Sequence, residues 1–287
     1  MPETFVLHLG LHKTATTALQ DFLAGQGKAL AAAGVRYVPL ARMRSDVSPL
    51  MTSLEDGKRA RLALFLADIR KPAVLFSDEN ILGSPGDLMQ GALYPFARNR
   101  IATFCAENPG ARIVLFLTLR APSAFLASLY CEYLRHNPFL RFADYVAGYA
   151  VEDMSYRDAF GWLSELPGHV SVRIVPFEAE RGGGVQAIAR GLVAAACGPG
   201  HGVDFGAFPK AKSRAAFSAE ELDLAGEIAG RAGARAAQLF LAMLDGRGLR
   251  FGQTRFAPLA PALAARLDAR YDADLAAFAA AGHGLPA

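Results

Sequence analysis

Cysteine is scarce in this 287-residue chain, which holds three: Cys105, Cys131 and Cys197. Their odd number and lack of metal-ligand spacing speak against a disulfide framework or a zinc site, and each sits in an apolar helical pattern that suits a buried free thiol. Long hydrophobic runs are lacking too. The richest, Ile113 to Leu119 and Leu239 to Leu244, fall well short of the roughly 20 apolar residues that a membrane span needs. Met1 to Leu9 carries no basic n-region, apolar h-region or small-residue cleavage site, so a secretory route is not expected and the cytoplasm is the expected location. Neither charge is in large excess. The 30 basic and 27 acidic side chains leave a formal +3, too little by itself to imply a nucleic-acid partner.

What is present is ample apolar content, 52% of the residues, in a chain long enough for one large α/β domain. No linker forces a boundary, so residues 1–287 read as a single unit. Short apolar runs at Thr4 to Leu9, Val35 to Val38, Ala73 to Ser77, Arg112 to Leu119 and Val170 to Val175 predict strands. Helical spacing predicts helices over Thr16 to Ala33, Lys58 to Ile69, Asp87 to Glu107, Pro122 to Arg135, Tyr156 to Leu166 and one opened by Gly182 to Gly184 that reaches about Cys197. Strands alternating with helices imply a three-layer, mostly parallel sheet covered by helices. From about residue 215 the chain reads as mostly helix with no strand evident, opened by the capping box Ser218-Ala219-Glu220-Glu221 and closed by a helix from about Pro261 to Ala281.

Gly10-Leu11-His12-Lys13-Thr14-Ala15-Thr16-Thr17 falls between the first strand and first helix, where backbone N–H groups and the helix dipole converge on an anion. Lys13 adds a mobile positive charge there, and Thr14, Thr16 and Thr17 add hydroxyls. The spacing fails the triphosphatase pattern GxxxxGK[ST], because two residues separate Gly10 from Lys13. An ordinary turn in which a threonine caps the helix fits the loop alone as well. A second segment adds weight. Arg120 ends the strongest strand and Ser128 follows eight residues later, about two helical turns on, so both could face one anion above the carboxyl ends of the sheet.

Together these segments resemble the PAPS-dependent sulfotransferases, in particular their bacterial and carbohydrate-type members, over about half the chain. Gly10 to Thr17, with Leu19-Gln20, is similar to the family's loop for the 5′-phosphosulfate, usually built on a Lys-Thr-Gly-Thr-Thr core. Leu119-Arg120-Ala121-Pro122 through Ser128 and Tyr130 is similar to its 3′-phosphate motif, and Val175-Pro176-Phe177-Glu178 to its strand-ending segment. Ala15 stands where the family has glycine, so the loop must adopt a conformation that tolerates a Cβ. The late basic-glycine loop of many members is not recognisable: Arg181-Gly182-Gly183 comes too soon after Glu178, and Lys212 and Arg214 are carried as substitutes.

The resemblance implies a P-loop-like sulfotransferase fold with a helical C-terminal part. It also implies transfer of a sulfuryl group from 3′-phosphoadenosine 5′-phosphosulfate (PAPS) to the hydroxyl of a small-molecule or glycan acceptor, releasing 3′-phosphoadenosine 5′-phosphate. Gly10, His12, Lys13, Thr14, Ala15, Thr16, Thr17, Arg120, Ser128, Lys212 and Arg214 would then bind the donor, with Lys13 also stabilising the leaving group. Glu79, ending the third strand in Ser77-Asp78-Glu79-Asn80, is the chosen base, with Asp78 second. Carboxylates that only cap the following turn are the structural alternative. Of the histidines, His8 reads as buried in its strand and His12 as part of the cradle. His136, His169, His201 and His283 read as surface residues. No paired His/Cys spacing or Walker-B-like run is evident, so no metal is expected. Aromatic residues near Asn137 to Asp153, with Tyr130, Tyr133, Phe139, Phe142 and Tyr145, could line an acceptor cleft or simply belong to the core. A nucleotide-dependent small-molecule kinase and a non-catalytic nucleotide-binding protein are the rival functions.

Overall fold

The structure, a computed structural model, describes residues 1–53, 55–178, 184–198, 203 and 216–283. Five strands form one sheet: β1 (Thr4–His8), β2 (Val35–Tyr37), β3 (Ala73–Ser77), β4 (Arg112–Leu119) and β5 (Val170–Pro176). Their order is β2-β3-β1-β4-β5, and every pairing is parallel. Such strands must be apolar on both faces, since helices cover both. Accordingly, β3 is buried throughout and β4 is buried from Ile113 onward.

Helices α1 (Thr16–Gly25), α2 (Gly27–Ala32), α3 (Asp56–Ala67), α4 (Ala97–Glu107), α5 (Pro122–His136) and α6 (Gly184–Cys197) lie between and after the strands. One face of the sheet presents Val6, Leu75, Val114 and Val175 to Leu19, Phe22, Leu30 and Leu192 of α1, α2 and α6. The alternate residues Phe5, Leu7, Phe76 and Leu115 meet Leu66, Phe104 and Phe125 of α3, α4 and α5 in a second core. The period-two alternation of a strand divides each strand's side chains between these layers. The second core also takes in the C-terminal helices α7 (Ala219–Ala232), α8 (Ala234–Arg247) and α9 (Pro261–Ala280), through Leu222, Leu241 and Leu267. Ser218 caps α7 as its sequence predicts: its Oγ accepts from the Glu221 amide at 3.0 Å, and its amide donates to Glu221 Oε2 at 3.0 Å. Among the described residues no helix is long and apolar enough to cross a membrane.

Three expected helices are broken. Tyr156 to Leu166 is α-helical only over Tyr156–Phe160 and continues as a 3₁₀ turn, Gly161–Glu165. The run from Thr16 to Ala33 divides at Gln26, between Gly25 and Gly27, residues that weaken a helix by leaving the backbone unrestrained. Asp87 to Glu107 yields a 3₁₀ turn, Asp87–Gln90, and then α4. Between them Gly91 and Tyr94 take positive φ, 82° and 53°, and Pro95 supplies no amide for a continuous helix.

The connections set where a ligand can bind. From β1 the chain passes through α1 and α2 to β2 at one edge of the sheet, whereas from β4 it passes through α5 to β5 at the other edge. The carboxyl ends of the adjacent strands β1 and β4 therefore send their connections apart, which opens a crevice at a topological switch point.

Candidate anion-binding site

The loop after β1 crosses this crevice. The Leu9 amide donates to Phe116 O at 2.7 Å and the Leu11 amide to Thr118 O at 3.0 Å, so pairing with β4 continues past the strand's end and draws the loop inward. Lys13 and Ala15 then take left-handed conformations, φ 70° and 57°. Ala15 is the N-cap of α1 and has no capping side chain. The Thr14 hydroxyl, buried, donates back to Leu11 O at 2.7 Å. A threonine-capped turn is thus not what forms here. The amides of Thr16, Thr17 and Ala18 have no acceptor among the described residues, and a helix start left open in this way favours an anion. Gly10 is packed so closely that a Cβ would lie 2.8 Å from Thr14 Oγ1 and 2.9 Å from His8 Cε1.

Two buried histidines support the loop. His8 Nδ1 lies 2.9 Å from Ser77 Oγ and its Nε2 3.2 Å from Thr118 Oγ1, tying β1 to β3 and β4 directly under Gly10. His12 Nδ1 lies 2.8 Å from the Tyr94 hydroxyl and its Nε2 3.2 Å from Asn80 Oδ1. Asn80 Oδ1 can only accept, so Nε2 carries the proton and Nδ1 accepts from Tyr94. Burial pushes both imidazoles down to about 4, only partly countered at His12 by its Asn80 hydrogen bond and nearby carboxylates. Both are neutral at pH 7. His12 therefore acts as a strut between the loop and the turn after β3.

Two cations meet at the loop. Lys13 Nζ lies 3.3 Å from Glu132 Oε2 of α5, and burial pulls the Lys13 ammonium below its usual range, with Glu132 opposing. Burial alone would raise the Glu132 carboxyl, but the charges of Lys13 and Arg135 overcome it and hold it at about 2. Arg135 in turn bonds Glu132 Oε2 at 3.0 Å and Asp245 of α8 at 2.6 Å. Arg120, just past β4, donates from Nη1 to Lys13 O at 2.8 Å and to Ser128 Oγ at 3.1 Å. Its guanidinium carbon stands 5.3 Å from the centre of the Phe177 ring, a cation–π contact. Glu178 accepts from the Ala121 amide at 3.1 Å, so it caps α5.

On the β3 side, Glu79 Oε1 accepts from Arg44 at 2.9 Å and Oε2 from Gln20 at 3.3 Å. Asp78 is fully buried, accepting from Ser48 Oγ at 2.5 Å and the Asn80 amide at 3.1 Å; burial raises its carboxyl, and the Ser48 bond opposes this. Glu79 retains some access to solvent, whereas Asp78 has none and is not positioned to meet an acceptor.

The structure brings together Gly10, His12, Lys13, Thr14, Ala15, Thr16, Thr17, Arg120 and Ser128 around one crevice, with Glu79 in the 3₁₀ turn after β3, the strand next to β1. Lys212 and Arg214 lie outside the described residues, as do His201 and the Arg181-Gly182-Gly183 segment. Tyr130 and Tyr145 are core residues, 2% and 0% exposed, packed at tilted angles against each other, with Tyr133 and Phe142 tilted against Tyr145, so they do not line an open acceptor cleft. His283 is buried rather than exposed. Cys105 and Cys131 are buried and Cys197 is partly so. Glu132 and Arg135 were missed by the sequence, although with Ser128 they fall at i, i+4 and i+7, one face of α5. Among the described residues no group of three or more His, Cys, Asp or Glu could hold a metal ion. No family model matches the chain, and neither a curated protein nor a solved structure is detectably similar to it.

Proposed function

We propose that this protein is a sulfotransferase with a P-loop-like fold that binds PAPS over the β1–β4 crevice and transfers its sulfuryl group to the hydroxyl of a small-molecule or glycan acceptor. The observation that carries the proposal is the Arg120 side chain bonded to both Lys13 O and Ser128 Oγ. It joins two motifs 107 residues apart into adjacent cationic sites, which suits a nucleotide bearing anions at both its 5′ and 3′ positions. ATP has no 3′-phosphate to engage the second site.

The open amides of α1 and the Lys13 ammonium would hold the 5′-phosphosulfate, and Arg120 with Ser128 the 3′-phosphate. Glu79 would take the acceptor's proton as its oxygen attacks sulfur, while Lys13 stabilises the charge that develops on the bridging oxygen of the departing nucleotide. Catalysis of this kind rests mainly on positioning and neutralisation, as in phosphoryl transfer. Lys13 must exchange its contact with Glu132 for one with the donor, so Glu132 competes with the ligand for the same cation.

Calorimetric titration with 3′-phosphoadenosine 5′-phosphate, ADP and ATP, each with and without magnesium, tests this on the wild type and Arg120→Ala. A metal-independent preference for the 3′,5′-bisphosphate, lost in the variant, is expected. Preference for ATP with magnesium, or no nucleotide binding, sinks the proposal. With PAPS and an accepted alcohol in hand, Glu79→Gln lowers kcat by about 10²- to 10⁴-fold while leaving bisphosphate affinity unchanged.

A further inference from the structure

The turn that carries Arg120 is held by side chains from distant parts of the chain. Leu119 O accepts from the Phe177 amide at 2.7 Å and lies 3.4 Å from the Tyr271 hydroxyl. Arg120 O accepts from the Tyr156 hydroxyl at 2.6 Å. The Ala121 amide donates to Glu178, whose other oxygen accepts from Tyr271 at 3.1 Å. Two residues on, the Ser123 amide and hydroxyl donate to Asp268 at 3.1 and 2.6 Å.

Helix α9 is the common source. Asp268 and Tyr271 reach the turn directly. Asp274, 6% exposed, acts one step removed: it accepts from the Tyr156 amide at 2.7 Å and from Ser155 Oγ at 3.1 Å, fixing the residue whose hydroxyl holds Arg120 O. The Tyr156 and Tyr271 rings pack edge to face at 5.8 Å. These three α9 residues recur every third position, on one flank of the helix. Apolar residues of the same helix, Leu267 and Phe278, already anchor it to the core, so packing alone does not require three polar side chains directed at one turn.

We infer that α9 is a positioning element of the donor site, in which Tyr271, Asp268 and Asp274 hold the β4–α5 turn so that Arg120 meets the 3′-phosphate. The inference rests on the assignment of Arg120 to that phosphate. The C-terminal helix is then a working part of nucleotide discrimination rather than an added layer.

The test compares affinity for 3′-phosphoadenosine 5′-phosphate with affinity for 5′-AMP, by calorimetry, in the wild type, Tyr271→Phe and Asp268→Asn, with melting temperature recorded for each. Tyr271→Phe keeps the ring and deletes only the hydroxyl. Both variants are expected to lower the bisphosphate-to-AMP preference by about three- to ten-fold, the scale of one hydrogen bond, with AMP affinity unchanged. On an Arg120→Ala background Tyr271→Phe should lower it no further. Variants that lose thermal stability but keep the wild-type preference, or that lose preference equally without Arg120, overturn the inference and leave the Arg120 assignment standing. A wild type with no preference overturns both.

Discussion

Ala15 adopts a backbone conformation that glycine enters freely and that costs an L-residue roughly 1–2 kcal/mol. Replacing it with glycine should therefore raise the stability of the protein, by roughly 0.5–1 kcal/mol once the added freedom of the unfolded chain is subtracted, as measured by chemical denaturation. Gly10 is the opposite case. Its missing Cβ is what lets Thr14 and His8 close on the loop, so Gly10→Ala should cost roughly 1–3 kcal/mol and abolish bisphosphate binding in the same calorimetric assay. Glu132→Gln removes the carboxylate that holds Lys13. At pH 7 the freed ammonium should bind the bisphosphate several-fold more tightly. The variant also loses the charge that kept Lys13 protonated against burial, so its advantage should fade at alkaline pH; a uniform weakening at every pH would contradict the competition between Glu132 and the ligand.

At the scale of elements, α5 does most to assemble the site. It begins where Glu178 and Asp268 satisfy its first amides, and its Ser128, Glu132 and Arg135 face Arg120, Lys13 and Asp245 in turn. Ser128, eight residues after Arg120, could be read from spacing alone. Glu132 could not, because a carboxylate in an amphipathic helix ordinarily faces solvent and its partner lies 119 residues away. The helix breaks have a similar origin. Gly25 and Gly27 were visible in the sequence, but the left-handed turns at Gly91 and Tyr94 depend on how Tyr94 reaches His12. The capping box at Ser218, by contrast, is a local device and formed where its four residues predict. Ser218→Ala should destabilise the protein by about 1 kcal/mol in denaturant unfolding.

For the whole molecule, two buried histidines, one at the end of β1 and one in the loop after it, make stability depend on pH. His8 and His12 have folded values of about 4 against about 6.5 in an unfolded chain. The unfolded state therefore binds more protons between these values, so stability is full above pH 6.5 and falls as pH drops toward 4, by roughly 3 kcal/mol for each imidazole. Unfolding near pH 5.5 should take up about two protons from this pair, a slope that denaturation at closely spaced pH values would measure and that a His8→Asn, His12→Asn variant should lack. The sequence by itself determined the alternation of strands and helices, the positions of all five strands and the two motifs at the ends of β1 and β4, because apolar period, glycine placement and capping act within a few residues. Only the tertiary structure decided that β1 and β4 are neighbours with diverging connections, that Lys13 faces Glu132, that Asp78 is sealed from solvent, and that α9 reaches back to the turn at Arg120. Those outcomes depend on strand order and on which helix faces the two cores pull together, and no local pattern encodes contacts between residues more than a hundred positions apart.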